Sequence, residues 1–344
     1  MISRILIVGL GSAGSRHLRL ARLNFPNSEI KVLCHRTQSV IPEFSDGYFL
    51  EIENAIQFAP DIAIVANPST FHIQIANQLA LAKTHLLIEK PLSSSVEGVH
   101  ELIEMCKKND LVLMVGYNLR FSPSLQFFRQ ILRHGIVGEL LSVRCEVGQY
   151  LPSWRPEGDY RQGVTARKEL GGGVLLELSH EIDYLRWIFG EIDWVKATLS
   201  RQSKLEIDVE DSAHLTIGFL PTIKERQLVG TLNLDLIRHD YTRSCTVIGE
   251  KGTLRWNGLT GEVSLFESKA SDWMQLYCHE PKKDEAYDAE WKDFVDSIQK
   301  KKDPFVTGND GLKVLEFIES ARSSAITGAK VIIHHPRVTN SSLQ

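Results

Sequence analysis

At its start the chain commits itself to a strand, a tight turn and a helix. Ile5 to Val8 is a short β-branched apolar run, Gly9-Leu10-Gly11-Ser12-Ala13-Gly14 spells G-x-G-x-x-G, and Leu18, Ala21 and Phe25 then recur at helical spacing. In such a turn the first glycine permits the tight bend and the second lets the backbone approach a pyrophosphate. The third lets helix and strand pack closely, and the first helical amides receive the negative charge. Gly9, Gly11, Ser12, Ala13 and Gly14 are therefore nominated as a phosphate cradle. A glycine-rich turn with no ligand is the competing reading of the motif alone, and its place between a strand and a helix weighs against that.

The alternation continues through the first third of the chain. Ile30 to Cys34, Ile62 to Ala66, His85 to Ile88 and Leu111 to Val115 are apolar runs of strand length, separated by segments with helical spacing such as Ile73-Ala76-Leu79-Ala80 and Val96 to Lys108. Strands that are nearly all apolar suit a parallel sheet covered by helices on both faces, so residues 1–121 are expected to form a doubly wound domain. From residue 122 the pattern changes. A helix over 125–134 gives way to partly alternating strands at 140–149, 194–201, 212–219, 227–236 and 241–248, with turns at Gly249-Glu250 and Asn257-Gly258. Helices follow over 285–300 and 308–327. Residues 122–335 read as an α+β domain with a mostly antiparallel sheet open on one face, and 336–344 as a polar tail.

Composition bounds the function classes. A chain of 344 residues is long enough for about two domains, and 43% hydrophobic with 24% charged residues describes an ordinary folded protein. The 39 basic residues fall short of the 43 acidic ones, so there is no broad cationic field to gather nucleic acid. Cys34, Cys106, Cys145, Cys245 and Cys278 never approach Cys-x-x-Cys spacing; they read as free intracellular thiols, and no metal site is expected. The apolar run before Gly9 is too short for a signal-peptide core and no later run reaches membrane-spanning length, so a cytoplasmic location and no membrane partner are expected.

Four further stretches bear on chemistry. The second strand ends in Cys34-His35-Arg36-Thr37, where an NAD site usually carries an acidic residue; His35, Arg36 and Thr37 in its place favour the 2′-phosphate of NADP over NAD, unless Arg36 is simply a solvated arginine. Glu89-Lys90-Pro91 ends the fourth strand at the carboxyl edge of the sheet. Pro91 keeps Lys90 extended, so its amine can sit in the crevice and bond a substrate hydroxyl or, with a pKa lowered by burial, act as acid or base; a surface loop lysine is the bland alternative. After Gly171-Gly172-Gly173, Leu175, Leu178, Ile182 and Leu185 share one side of a helix, and Glu177, His180, Glu181 and Tyr184 another, which is either a site or a solvated face. Between these, Tyr150 to Arg161 interleaves Trp154 and Tyr160 with Arg155 and Arg161, and Arg167 and Lys168 follow. Rings that stack on a sugar and guanidiniums that bind carboxylate or phosphate suit an anionic sugar, with a loop packing its rings at the domain junction as the equal alternative. Tyr117, Asn118 and Arg120 lie where they contact substrate or pin the linker.

Taken together these motifs resemble the Gfo/Idh/MocA oxidoreductases. The similarity rests on the G-x-G-x-x-G followed by Arg16-His17, on Asn67-Pro68 with His72, on Glu89-Lys90-Pro91, on Gly116-Tyr117-Asn118-Leu119-Arg120-Phe121 and on the triglycine helix with His180 and Asp183; it extends from residue 1 to about 330. The resemblance implies a Rossmann domain followed by a domain with a large open sheet, often used to form homodimers or homotetramers, and NAD(P)-dependent redox chemistry on sugars, polyols or their relatives. It implies a cofactor-binding role for Asn67, Pro68, His72 and Glu89. By position Lys90 matches the family's catalytic lysine and His180 its general acid/base. Many members place an aspartate four residues before that histidine; here Glu177 stands three before His180 and Asp183 three after, so either carboxylate is open as its support. The implied reaction is hydride transfer between a secondary alcohol carbon and nicotinamide C4, with the proton taken by His180 or Lys90. The rival reading from another class is an NADP-binding sensor that has lost turnover. Reduction of a non-sugar carbonyl or a linear tetrapyrrole sits less well with the loop of Trp154 and Tyr160.

Overall fold

In the computed structural model, which describes residues 2–154, 156–221 and 226–333, the first apolar runs pair side by side in one parallel sheet. Its strands are β1 (Arg4–Val8), β2 (Glu29–Leu33), β3 (Tyr48–Phe49), β4 (Ile62–Val65), β5 (His85–Ile88) and β6 (Leu113–Val115), in the order β3-β2-β1-β4-β5-β6. The helices α1 (Ser12–Asn24), α2 (Ile52–Gln57), α3 (His72–Leu81) and α4 (Val99–Lys108) alternate with them. Every residue of β4 is buried, as the absence of alternation in Ile62–Val65 requires of a strand covered on both faces. The order reverses between β1 and β4, and that switch point opens a crevice at the carboxyl ends of the strands. The sequence pattern misses β3, because two residues at a sheet edge leave no periodicity to read.

The second half builds a sheet of nine strands from β7 (Leu140–Gly148), β8 (Ile192–Ser200), β9 (Ser212–Phe219), β10 (Val229–Asp235), β11 (Thr242–Gly249), β12 (Gly252–Asn257), β13 (Glu262–Glu267), β14 (Met274–Cys278) and β15 (Val331–Ile332). Their order is β14-β13-β12-β11-β7-β10-β9-β8-β15, antiparallel throughout except where β7 and β10 run parallel. One face carries Val143, Cys145, Val147, Leu215, Ile217 and Leu232 into the core; the other presents Arg144, Thr216, Thr231 and Arg255 outward. Before it come α5 (Pro123–Arg133), and within it α6 (Val174–Glu177) and α7 (His180–Phe189).

Two features depart from the sequence reading. The helix expected to run on from Val174 is broken at Leu178–Ser179, and its polar side is not solvated: Glu181, Asp183 and Tyr184 are all buried. The chain also returns to its beginning. In α8 (Glu285–Lys300), Trp291 and Phe294 pack into the same apolar cluster as Ile5, Ile7, Leu18 and Ile30, while α9 (Gly308–Thr327) lies against β8 and touches α4 and β6. The polar tail expected at 336–344 lies outside the described residues.

Candidate active site

The G-x-G-x-x-G turn takes the form its glycines permit. Gly9 has φ +89°, a conformation that side chains rarely adopt, and a Cβ on Gly14 would lie 2.1 Å from the Gly9 carbonyl oxygen, so α1 is seated directly on the turn. A Cβ on Gly11 would meet nothing within 4 Å, and Gly11 lines a cavity of about 630 Å³. That combination leaves bare backbone and the first amides of α1 facing open space, which suits a pyrophosphate. Ser12, Ala13, His35, Asn67, Pro68 and His72 line the same cavity, with Gly14 behind it and Arg36 and Thr37 exposed past the end of β2. His72 ties the wall together, its ring nitrogens 2.7 Å from the Asn67 carbonyl oxygen and 3.1 Å from that of Pro91.

Across the cavity the two domains meet at Lys90. Its Nζ donates to the Glu177 carbonyl oxygen at 2.8 Å and lies 3.4 Å from Glu177 Oε1, while Thr165 Oγ1 donates to Glu177 Oε2 at 2.9 Å. Lys90 comes from the loop after β5 and Glu177 from the end of α6, so the amine is held by the backbone carbonyl of Glu177, with its carboxylate beside it. Trp154 and Tyr160 line the cavity beyond it, with Leu151, Gln162 and Val164. The Trp154 indole is anchored on the Gln149 carbonyl at 3.1 Å, which holds the ring in place. Glu89, beside Lys90, accepts from His17 Nε2 at 2.8 Å and from the Lys90 amide at 3.1 Å.

His180 lies behind this wall rather than in it. The imidazole is partly buried and edge-on to Tyr117, with 5.6 Å between ring centroids; Nδ1 is buried with no hydrogen-bond partner among the described residues. Burial, then the charges of Lys90 and Arg243, hold its pKa well below the ordinary histidine value, so the ring is neutral at physiological pH. Arg243 itself is paired with the fully buried Glu181 at 2.9 Å. Tyr117 is buried and donates to Ser179 Oγ at 3.3 Å.

The structure distributes the remaining sequence-nominated residues differently. Asp183 takes the Arg120 guanidinium on both oxygens, at 2.6 and 2.9 Å, and Asp310 adds a third contact at 2.9 Å. Burial works against the Arg120 charge, and the two carboxylates outweigh it. Asp183 and Arg120 thus form a closed ion pair under the site, with Asn118 buried nearby in the chain. Tyr184 is buried against Cys145 Sγ, 3.0 Å from its hydroxyl, and edge-on to Trp256. Arg161 is exposed and folded back on Asp159 at 2.8 Å, and Arg155 lies outside the described residues. Sequence reasoning quoted Arg16 only as part of a family motif, with no place in the site, and missed Tyr287; both line the cavity, the guanidinium 4.6 Å above the ring. Tyr287 carries no motif; only the fold of α8 onto the first domain reveals it. Among the described residues no helix is long and apolar enough to cross a membrane.

Comparison with known proteins gives two family models, matched in order. Residues 3–117 match an oxidoreductase family described as an NAD-binding Rossmann fold, and residues 125–255 match the GFO/IDH/MocA C-terminal domain. The uncharacterized oxidoreductase YrbE of Bacillus subtilis is 27% identical over 96% of both chains, and the myo-inositol 2-dehydrogenase of Thermotoga maritima is 26% identical over 77% of each. A solved levoglucosan dehydrogenase in complex with NADH superposes with a TM-score of 0.84 at 20% identity, covering 97% of this chain and 100% of that one. The WlbA dehydrogenase from Bordetella pertussis, in complex with NADH and UDP-GlcNAcA, does so with 0.78 at 20% identity, over 97% and 99%. At such identity these structures speak to the fold.

Proposed function

As the chain belongs to the Gfo/Idh/MocA family of oxidoreductases, we propose that it moves a hydride between a nicotinamide dinucleotide and a secondary alcohol, or the matching ketone, of a sugar or sugar derivative. The observation that carries this reading is the seat of Lys90, an amine held in the wall of one cavity between the glycine cradle and the loop of Trp154 and Tyr160. The residues present fit the dinucleotide: Gly11 leaves the cradle open, α1 directs its first amides there, and Arg16, His35 and Glu89 line the remainder. When bound, the nicotinamide supplies the site that accepts or gives the hydride. The protein supplies charge and a proton path.

Oxidising the alcohol builds negative charge on its oxygen, and the Lys90 ammonium, oriented by Glu177, is positioned to stabilise it. His180 is proposed as the proton acceptor on its match to the family's general acid/base; it stands behind the Lys90 wall and its lowered pKa makes it a weak base, and with Nδ1 enclosed Nε2 is the nitrogen left to take the proton. Glu177 rather than Asp183 is proposed as the carboxylate that serves the reaction, since Asp183 is taken by Arg120. Trp154 and Tyr160 are proposed to stack on the sugar face. For the cofactor, NADP is the reading favoured by Arg36, whose exposed guanidinium makes no ion pair among the described residues. The open sheet face is proposed to join copies of the chain.

The test is a cofactor-reduction screen of sugars, sugar acids and nucleotide-sugars with both nicotinamide forms, repeated on Lys90→Ala and His180→Ala. Each variant should lose about 100-fold or more in turnover while still binding cofactor. Full turnover in both removes the assignment, and binding without turnover across the screen favours the sensor.

A further inference from the structure

Behind the Lys90 wall a line of three side chains runs from α8 to the cavity. The Trp291 indole donates to His17 Nδ1 at 3.0 Å, and His17 Nε2 meets Glu89 Oε1 at 2.8 Å. His17 and Trp291 are almost completely buried, and the little of Glu89 that is exposed faces the cavity. An indole can only donate, so His17 Nδ1 must accept and the ring proton sits on Nε2, where it is given to Glu89. The other carboxyl oxygen accepts the Lys90 amide at 3.1 Å. Both oxygens therefore face donors, an arrangement that a protonated acid, which must itself donate, cannot satisfy.

We propose that the line Trp291–His17–Glu89 fixes a negative charge at the edge of the cofactor cavity and so makes the site favour the oxidised, cationic nicotinamide over the reduced, neutral one. The proposal rests on the dinucleotide reading above, with Glu89 at the end of β5, in the half of the sheet opposite the cradle strand β1 and its neighbour β2. A fixed anion in a poorly hydrated wall discriminates between a cation and a neutral ring of the same shape, because the ring's shape contacts are common to both forms and the charge contact is not. Neither nearby cation forms an ion pair with Glu89: Lys90 Nζ bonds Glu177, and Arg16 bonds Asp284 at 3.1 Å, although the Lys90 charge still acts on Glu89 through space.

A second carboxyl sharpens the case. Glu290, next to Trp291 on α8, is fully buried, and neither of its oxygens has a hydrogen-bond partner among the described residues. Burial and then the charge of Glu89 push its pKa well up. For Glu89 burial is the largest influence and pushes the same way, but the contacts with His17, the Lys90 charge and the Lys90 amide together outweigh it and the pKa is lowered. Of these two acids Glu89 keeps the charge and Glu290 stays neutral.

The experiment measures dissociation constants of the oxidised and reduced cofactor, by tryptophan-fluorescence or calorimetric titration of the full chain, for the wild type, Glu89→Gln and Trp291→Phe. Turnover is not needed. Glu89→Gln should weaken the oxidised form at least tenfold and the reduced form less than threefold, raising the midpoint potential of the bound couple. Trp291→Phe, which frees His17 Nδ1, should move the ratio in the same direction by less. Equal weakening of both forms in Glu89→Gln overturns the charge bias, and an unchanged ratio in Trp291→Phe overturns the part given to the line. If Glu89→Gln does not fold, Trp291→Phe decides alone. A wild type that binds neither form would defeat the dinucleotide reading itself, which is a different result.

Discussion

Two buried carboxyl groups show how differently one residue type serves this protein. Asp183 meets a guanidinium on both oxygens, whereas neither Glu290 oxygen has a hydrogen-bond partner among the described residues. Asp183→Asn leaves the Arg120 charge buried with reduced compensation and should cost about 3–5 kcal/mol in denaturant unfolding. A loss of turnover at unchanged stability would instead place Asp183 in the chemistry. Glu290 has a folded pKa raised above its unfolded value, so its contribution is favourable below pH of about 4.5 and is lost as pH rises toward the folded pKa. Glu290→Gln, which does not titrate, should gain stability over the wild type by up to about 1.4 kcal/mol per pH unit above pH of about 4.5, and thermal melts at several pH values check the slope. At this scale the cradle glycines and the place of Lys90 were legible, because each is tied to a local turn. The fates of Arg120, Asp183 and Tyr184 were not, since their partners Asp183, Arg120 and Cys145 lie far away in the sequence and nothing local announces a buried pair.

Among the elements, α1 depends on two glycines for unlike reasons. Gly14→Ala must push α1 off the Gly9 carbonyl, whereas Gly11→Ala places a methyl in open cavity. Gly14→Ala should therefore lower the melting temperature and cofactor affinity together, and Gly11→Ala should weaken cofactor binding about tenfold or more with the melt unchanged. Equal melts for the two variants would contradict this account of the turn. The long apolar strands and the terminal helices α8 and α9 were readable from periodicity. The break between α6 and α7 was not, because Leu178–Ser179 carries neither proline nor glycine; the turns at Gly249-Glu250 and Asn257-Gly258 bracket β12, and the sequence reading named no strand at β13 or β14.

For the whole molecule, the sequence showed two halves but not how they interlock. Trp291 and Phe294 of α8 complete the apolar cluster of the first sheet, so residues 1–121 made alone should expose that surface and bind a hydrophobic dye that the full chain does not. If copies join through the sheet face carrying Arg144, Thr216 and Thr231, sedimentation should return an even multiple of the chain mass, and a charge-reversing change at Arg144 should release monomers. A chain that sediments as a monomer at all concentrations would end that proposal.

The contact between Lys90 and Glu177 spans a seam. An amine rooted in one lobe and steadied by a backbone carbonyl of the other keeps its aim only while the lobes stay shut. Were that seam to part, the amine would lose both of its partners at a stroke, so the bearing of Lys90 hangs on the closure of the two halves.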